Sequence, residues 1–264
     1  MAALSISRAW DETKAVLRRD GRLYLGVALA MFVLPGVVAE LFTPAAEPGS
    51  LPPFGFWTVL SIVALLISLV GQLAVCRLAL GPTVSVGEAI GHGARRAPSY
   101  VAAAMLWLLP FLLLFGLLGA GASPETMSAG AAFAILGLAI VFLFVAVRLL
   151  MGSPVATAEP QGPLGILSRS WRLTAGHWWK LFLFLLLFLG VLGILLFAVS
   201  AVVGTVVALV AGRPEPLSVG ALLLSLATQV AGAAVTVLLM VMLARIYVQL
   251  AGTDAEPASV PHAP

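Results

Sequence analysis

Charge is scarce in this sequence. Asp, Glu, Lys and Arg make up 9% of its 264 residues, where an ordinary soluble domain carries roughly 25%. A water-soluble fold of this length leaves about a quarter of its unfolded surface exposed, and too few polar side chains are present to cover it. Cysteine is reduced to Cys76, which excludes an intramolecular disulfide framework. Histidine occurs at His92, His177 and His262, in no ligand spacing, so no metal centre is expected. Also missing are a Gly-x-Ser-x-Gly elbow, a His-Glu-x-x-His pair and a glycine loop ending in Gly-Lys-Ser/Thr. Ser153, Ser168 and Ser170 have only the sequence neighbour His177 as a candidate base. Neither a catalytic centre nor a cofactor is expected.

Apolar residues are abundant instead. They form 61% of the chain and raise the mean hydropathy to +1.12, which excludes a disordered chain and makes lipid the solvent for most of it. A membrane helix needs about 20 mostly apolar residues to cross about 30 Å of hydrocarbon. Six stretches satisfy this, at about 23–42, 54–77, 100–122, 129–150, 178–204 and 218–247. Residues 181–212 hold no charge; that run is longer than one crossing and too short for two with a turn, so one long tilted or protruding helix is expected. The first apolar run follows 22 residues that include Asp11, Glu12 and Asp20, unlike the short basic start of a secretory signal, so it is expected to remain as a span. The fold class expected is all-α integral membrane. A cytoplasmic amphipathic segment (1–22) precedes the six-span domain (23–251) and a polar tail (252–264).

Lys and Arg orient such a bundle, because they stay on the cytoplasmic side of span ends while acids have little influence. Placing both termini inside puts Arg8, Lys14, Arg18, Arg19, Arg22, Arg77, Arg95, Arg96, Arg148, Arg169, Arg172, Lys180 and Arg245 there, all but Arg213 of the 14 basic residues. The outer loops then hold Glu40, Glu47, Glu125 and Glu215. The sequence pI of about 9.5 thus follows from topology, and nucleic-acid binding is not expected. The expected location is the bacterial cytoplasmic (inner) membrane.

A threefold pattern recurs along the chain, as in architectures built from copies. Arg77 and Arg148 close spans two and four, with Gly81 and Gly152 four residues on and Glu88 and Glu159 eleven on. Arg245 closes span six, with Glu256 eleven on. Arg18-Arg19, Tyr24 and Pro35 match Arg95-Arg96, Tyr100 and Pro110, while the third copy has Arg172, Trp178-Trp179 and Gly190. Ser7-Arg8-Ala9-Trp10 is echoed by Ser168-Arg169-Ser170-Trp171. The reading is three parallel two-helix repeats, each preceded by an amphipathic segment in the cytoplasmic interface. Ile6, Ala9, Trp10, Val16 and Leu17 share one face of the first segment, and Leu164, Leu167 and Trp171 one face of the third. A solvated linker helix is the alternative; tryptophan's preference for the headgroup zone favours the interface. Glu88 and Glu159 follow Pro82 and Pro154, residues that break helices. They are expected either to pair with the arginines closing their spans or to stand as hydrated carboxylates, and Glu159 is a candidate anchor for the third interfacial helix.

The stretch RLLMGSPVATAEPQGPLGILSRSWRLTAGHWWK, residues 148–180, resembles a signature of the membrane domain of glycerophosphoryl diester phosphodiesterases and related uncharacterised six-span bacterial proteins. The matching positions are Arg148, Pro154, Glu159, Arg169, Ser170, Trp171, Leu173, Thr174, Gly176 and Trp179. Ile166-Leu167 stands where alanine-leucine is usual. In the fused proteins the activity belongs to a separate soluble barrel, and no stretch outside the spans here is long enough to hold one. The resemblance therefore implies a membrane domain without the enzyme.

Within the spans, the polarity is uncharged. No Asp or Glu falls inside the cores of the apolar runs, the first of which ends at Ala39 before Glu40, although ion-coupled transporters and intramembrane enzymes keep such groups at mid-depth. Ala64, Ser68 and Gln72 share a stripe of span two, and Thr228, Gly232 and Thr236 one of span six beside Gln229. Small and hydroxyl residues at this spacing suit close helix packing; a polar path for a lipid headgroup is the competing reading. The function expected is a non-enzymatic membrane module that binds membrane lipids or a protein partner. A transporter or lipid-moving permease is the alternative.

Overall fold

Helix accounts for nearly all of the computed structural model, which describes residues 4–44, 54–81, 84–119, 128–211 and 218–254. The first helix, α1 (Ile6–Ala28), passes through a π-helical turn (Leu29–Val33) into α2 (Leu34–Phe42). There follow α3 (Phe56–Leu80), α4 (Val86–Gly119), α5 (Ala129–Arg148), two short helices α6 (Gly152–Ala158) and α7 (Pro163–Leu173), then α8 (Trp178–Ala211) and α9 (Val219–Asp254). No strand occurs among the described residues. Pro82, Glu47, Glu125, Arg213, Glu215, Glu256 and His262 lie outside them.

Six stretches are long and apolar enough to cross a membrane: Ile6–Phe42, Phe56–Leu80, Val86–Gly119, Ala129–Ala158, Trp178–Leu209 and Val219–Gly252. In the third, fourth and fifth, only 6% of the most apolar window is buried within the protein, at mean hydropathies of 2.5, 2.8 and 3.1. Helices this apolar on their exposed faces are membrane spans. The described part of the uncharged fifth run lies within one helix of 34 residues, Trp178–Ala211, about 51 Å long against a core of about 30 Å.

The helices run beyond the apolar runs that define them. α1 begins at Ile6 and departs from helical geometry at Asp20 (φ −118°, ψ 16°), so its amphipathic first half bends there into the span. Ala9, Thr13 and Val16 of that half are buried. The Ser5 amide donates to Gln249 Oε1 (3.1 Å) and Lys180 Nζ to Leu4 O (3.5 Å), tying the segment to the ends of α9 and α8. α9 is the central pillar, buried almost throughout from Met240 to Leu250 and packed against α1, α2, α3, α6, α7 and α8.

Two glycines let α3 meet its neighbours closely. A Cβ on Gly93 of α4 would stand 2.7 Å from the Val70 carbonyl of α3, so these helices meet backbone to backbone. A Cβ on Gly71 of α3 would stand 2.7 Å from Met31 Cβ in the π-helical turn. Pro35 has no N–H to give the Met31 carbonyl, and Ser68 Oγ donates to that oxygen at 3.3 Å. The span-two stripe therefore packs against the irregular part of span one.

The repeat spacing recurs in sequence, but the residues that mark it occupy different settings. Arg77 lies in the last turn of α3, Arg148 is the last residue of α5, and Arg245 lies well inside α9. Gly81 caps α3, whereas Gly152 opens α6.

Candidate functional site

Most polar side chains gather at the basic end of the bundle, where several helices stop. The last carbonyls of a helix have no intrahelical partner, and a cation there is favoured by the helix dipole. Three arginines meet that need on neighbouring helices. Arg245 Nη2 donates to Ala79 O in the last turn of α3 (2.6 Å). Arg96 of α4 donates from Nε to Ala156 O (2.7 Å), and from Nη2 to Glu159 O and to Gln161 O (3.3 Å), closing the end of α6. Arg148 Nη1 reaches Trp171 O in α7 at 3.5 Å. His92 Nε2 adds a bond with Thr157 O (2.9 Å).

The segment from Arg148 to Trp179 acts as a clamp. The Arg148 carbonyl, at the end of α5, receives the hydroxyls of Ser170 (3.1 Å) and Thr174 (2.9 Å) from α7. Its guanidinium lies 5.0 Å from the Trp171 ring and 5.5 Å from that of Phe144, within cation–π range. Gly176, at φ +78°, turns the chain from α7 towards α8, a conformation costly for any residue with a Cβ. The next turn is held by Trp178, whose Nε1 donates to Phe144 O (3.2 Å) and whose ring stacks on Phe182. Trp179, the second tryptophan of the motif, is instead 73% exposed.

Glu159 is neither hydrated surface charge nor partner to Arg148. Its Oε1 accepts from Arg169 Nε of α7 (2.9 Å) and from the Tyr247 hydroxyl of α9 (2.8 Å), and its Oε2 accepts from Gln161 Nε2. The Glu159 and Arg169 side chains are 21% and 19% exposed. Glu88 likewise turns inward to its own helix: its carboxylate accepts from the Ser85 amide (2.9 Å) and hydroxyl (2.8 Å), and Ser85 Oγ accepts from the Glu88 amide (3.2 Å). That is a capping box. Pro154 does not break a helix either. The break falls at residues 149–151, and Pro154 lies in the first turn of α6, where a missing N–H leaves no bond unmade.

The candidate nucleophiles are engaged elsewhere. Ser153 Oγ lies 3.7 Å from Met240 Sδ, Ser168 Oγ donates to Gly165 O (3.1 Å) and Ser170 Oγ to Arg148 O. His177 Nδ1 faces Ala175 O (3.2 Å). Cys76 is buried, with its thiol near Met240 O (3.9 Å) and Sδ (4.0 Å). The polar stripe of span six is also used within the protein: Thr228 and Thr236 bond to carbonyls of their own helix. At the other end of the bundle, Ser225 Oγ (2.7 Å) and Gln229 Nε2 (3.1 Å) both donate to Glu40 Oε2 of α2. Gly36 makes room for that amide, since a Cβ there would stand 2.4 Å from Gln229 Oε1.

A wide opening lies apart from all of these. It is a groove of about 510 Å³, walled by residues 184–195 of α8 and 235–242 of α9 and closed at one end by Ile6, Ser7 and Trp10 of α1. It does not include Gln72 or Gln229. Trp10 is 40% exposed, and Lys14 Nζ lies 5.8 Å from its ring. Ser7 and Trp10 were legible only as part of a surface helix, because the walls they adjoin lie nearly two hundred residues away. The α7 face shows a similar division. Ile166, Ser170 and Leu173 pack inward, while of the apolar stripe seen in the sequence Leu164 and Trp171 are exposed and Leu167 is partly buried against the core.

Residues 4–250 match one family, described as Domain of unknown function (DUF7847). No curated protein and no solved structure matches the chain.

Proposed function

We propose that this chain, which belongs to the DUF7847 family, is a non-enzymatic membrane module that binds membrane lipid through its lipid-facing surface. The observation that carries the reading is a division of labour. Arg96, Arg148, Glu159, Arg169 and Arg245 at the basic end are engaged in joining helices, while an apolar groove opens between α8 and α9. The motif likeness to the membrane domain of glycerophosphoryl diester phosphodiesterases supports a membrane module without the enzyme, because in the fused proteins the activity belongs to a separate domain. The transporter alternative is less favoured, since Ser68 and Gln229 bond to neighbouring helices. We place the chain in the bacterial cytoplasmic membrane with both termini inside, on the strength of the basic residues collected at one end. Native mass spectrometry after gentle extraction from its own membrane tests the module reading. A specifically retained lipid is the expected result. A stoichiometric protein partner without lipid would make it an accessory subunit, and a bare chain would overturn both forms of the module.

A further inference from the structure

The groove between α8 and α9 has the dimensions and polarity of half a lipid. Its α8 wall runs from residue 184 to 195, about 16 Å of helix. That is half of a hydrocarbon core of about 30 Å, the depth of one leaflet. Its volume of about 510 Å³ falls within the roughly 300–1,000 Å³ of small-molecule sites. The two lining residues that carry a polar group, Ser7 and Trp10, stand together at one end, with Ser7 Oγ 3.1 Å from Ser5 Oγ, and the walls deeper in are apolar. An amphiphile with a polar head and one long chain fits that gradient; a second protein helix, apolar along its length, leaves the Ser7 and Trp10 end unexplained.

The sign of the headgroup follows from the charge around that end. Arg8 and Lys14 are held by Glu12 (2.9 Å) and Asp11 (2.8 Å) on the same helix. Lys180, in the first turn of α8 and four residues before Phe184 of the groove wall, contacts the Leu4 carbonyl and has no carboxylate within 4.0 Å among the described residues. The topology read from the sequence gives this end every basic residue except Arg213, against Asp11, Glu12, Asp20, Glu88, Glu159, Asp254 and Glu256. A cationic end attracts anionic lipid.

We propose that this groove holds one acyl chain of an anionic phospholipid drawn from the leaflet at the basic end, with Ser7, Trp10 and Lys180 at the headgroup. The inference rests on the membrane-module reading and names its ligand. The test is native mass spectrometry of the delipidated full chain, re-exposed to equimolar phosphatidylglycerol and phosphatidylethanolamine. Wild-type protein is expected to retain one phosphatidylglycerol per chain. Leu192→Trp, which fills the groove from α8, should abolish retention, while Ile194→Trp, at the same depth on an exposed face of α8, should not. Leu238→Trp fills the groove from α9 and serves if Leu192→Trp fails to insert. Lys180→Gln should reduce the preference for phosphatidylglycerol by about fivefold, the weight of one lysine at an anionic surface.

Equal retention by wild type and both groove-filling variants would overturn the proposal while leaving a lipid-binding module standing, because the lipid would then sit elsewhere. Equal retention of the two lipids by wild type would overturn the anionic assignment, and a dimer dispersed by Leu192→Trp would replace the lipid with a second copy. Wild-type protein that retains neither lipid nor partner would remove the module reading as well.

Discussion

Replacing Glu159 with glutamine tests whether the clamp is held by charge. The substitution keeps the side chain's shape but removes the carboxylate from Arg169 and sets an amide against the Gln161 amide and the Tyr247 hydroxyl. An exposed ion pair contributes about 0–1 kcal/mol, whereas breaking a buried one costs about 3–5 kcal/mol. At 21% and 19% exposure this pair lies between those limits, and we expect a loss of about 2 kcal/mol. At roughly 2–4 °C per kcal/mol for a chain of this size, the melting temperature in detergent should fall by about 4–8 °C. Tyr247→Phe removes one hydrogen bond to the carboxylate and should cost about 1.5 kcal/mol, the lower end for a bond to a charged group, because two other donors remain. The double variant decides the matter: groups sharing one carboxylate should be non-additive by at least about 0.5 kcal/mol. An unchanged melting temperature for Glu159→Gln, or strict additivity with Tyr247→Phe, would refute the clamp and return Glu159 to a hydrated surface role.

Gly93→Ala should lower thermal stability by about 1–3 kcal/mol, the usual cost of overpacking, because its Cβ would meet the Val70 carbonyl at 2.7 Å; Gly137→Ala on α5, with nothing within 4 Å, is the control. At Gly176 no neighbour stands in the way of a Cβ, so Gly176→Ala should cost only the left-handed backbone, roughly 1–2 kcal/mol, and Gly176→Asn less; equal losses for both in a thermal melt would count against this account. For the orientation, a reporter fused at Ala158 should read as cytoplasmic and one at Glu125 as external, and the reverse pattern would overturn the topology.

Six spans, their number and approximate place, could be read without coordinates, because a bilayer imposes one dominant rule: a run of apolar residues long enough to cross it. The single long helix from Trp178 was legible for the same reason. The charged and polar residues were harder to read, since their partners are distant in the chain. Glu159 meets Tyr247 across 88 positions, and Arg245 meets Ala79 across 166. Within the motif, the Ser170 and Thr174 hydroxyls serve the Arg148 carbonyl, a backbone group that no side-chain pattern displays. The Ser85 and Glu88 capping box, by contrast, is a local spacing that the sequence itself displays. Composition and periodicity by themselves determined the solvent, the number of crossings and the basic end, because hydrophobicity and charge act on each helix separately. Only the tertiary structure decided which helix ends the arginines close, which tryptophan packs, and where the groove opens, because each of these depends on which helices stand side by side.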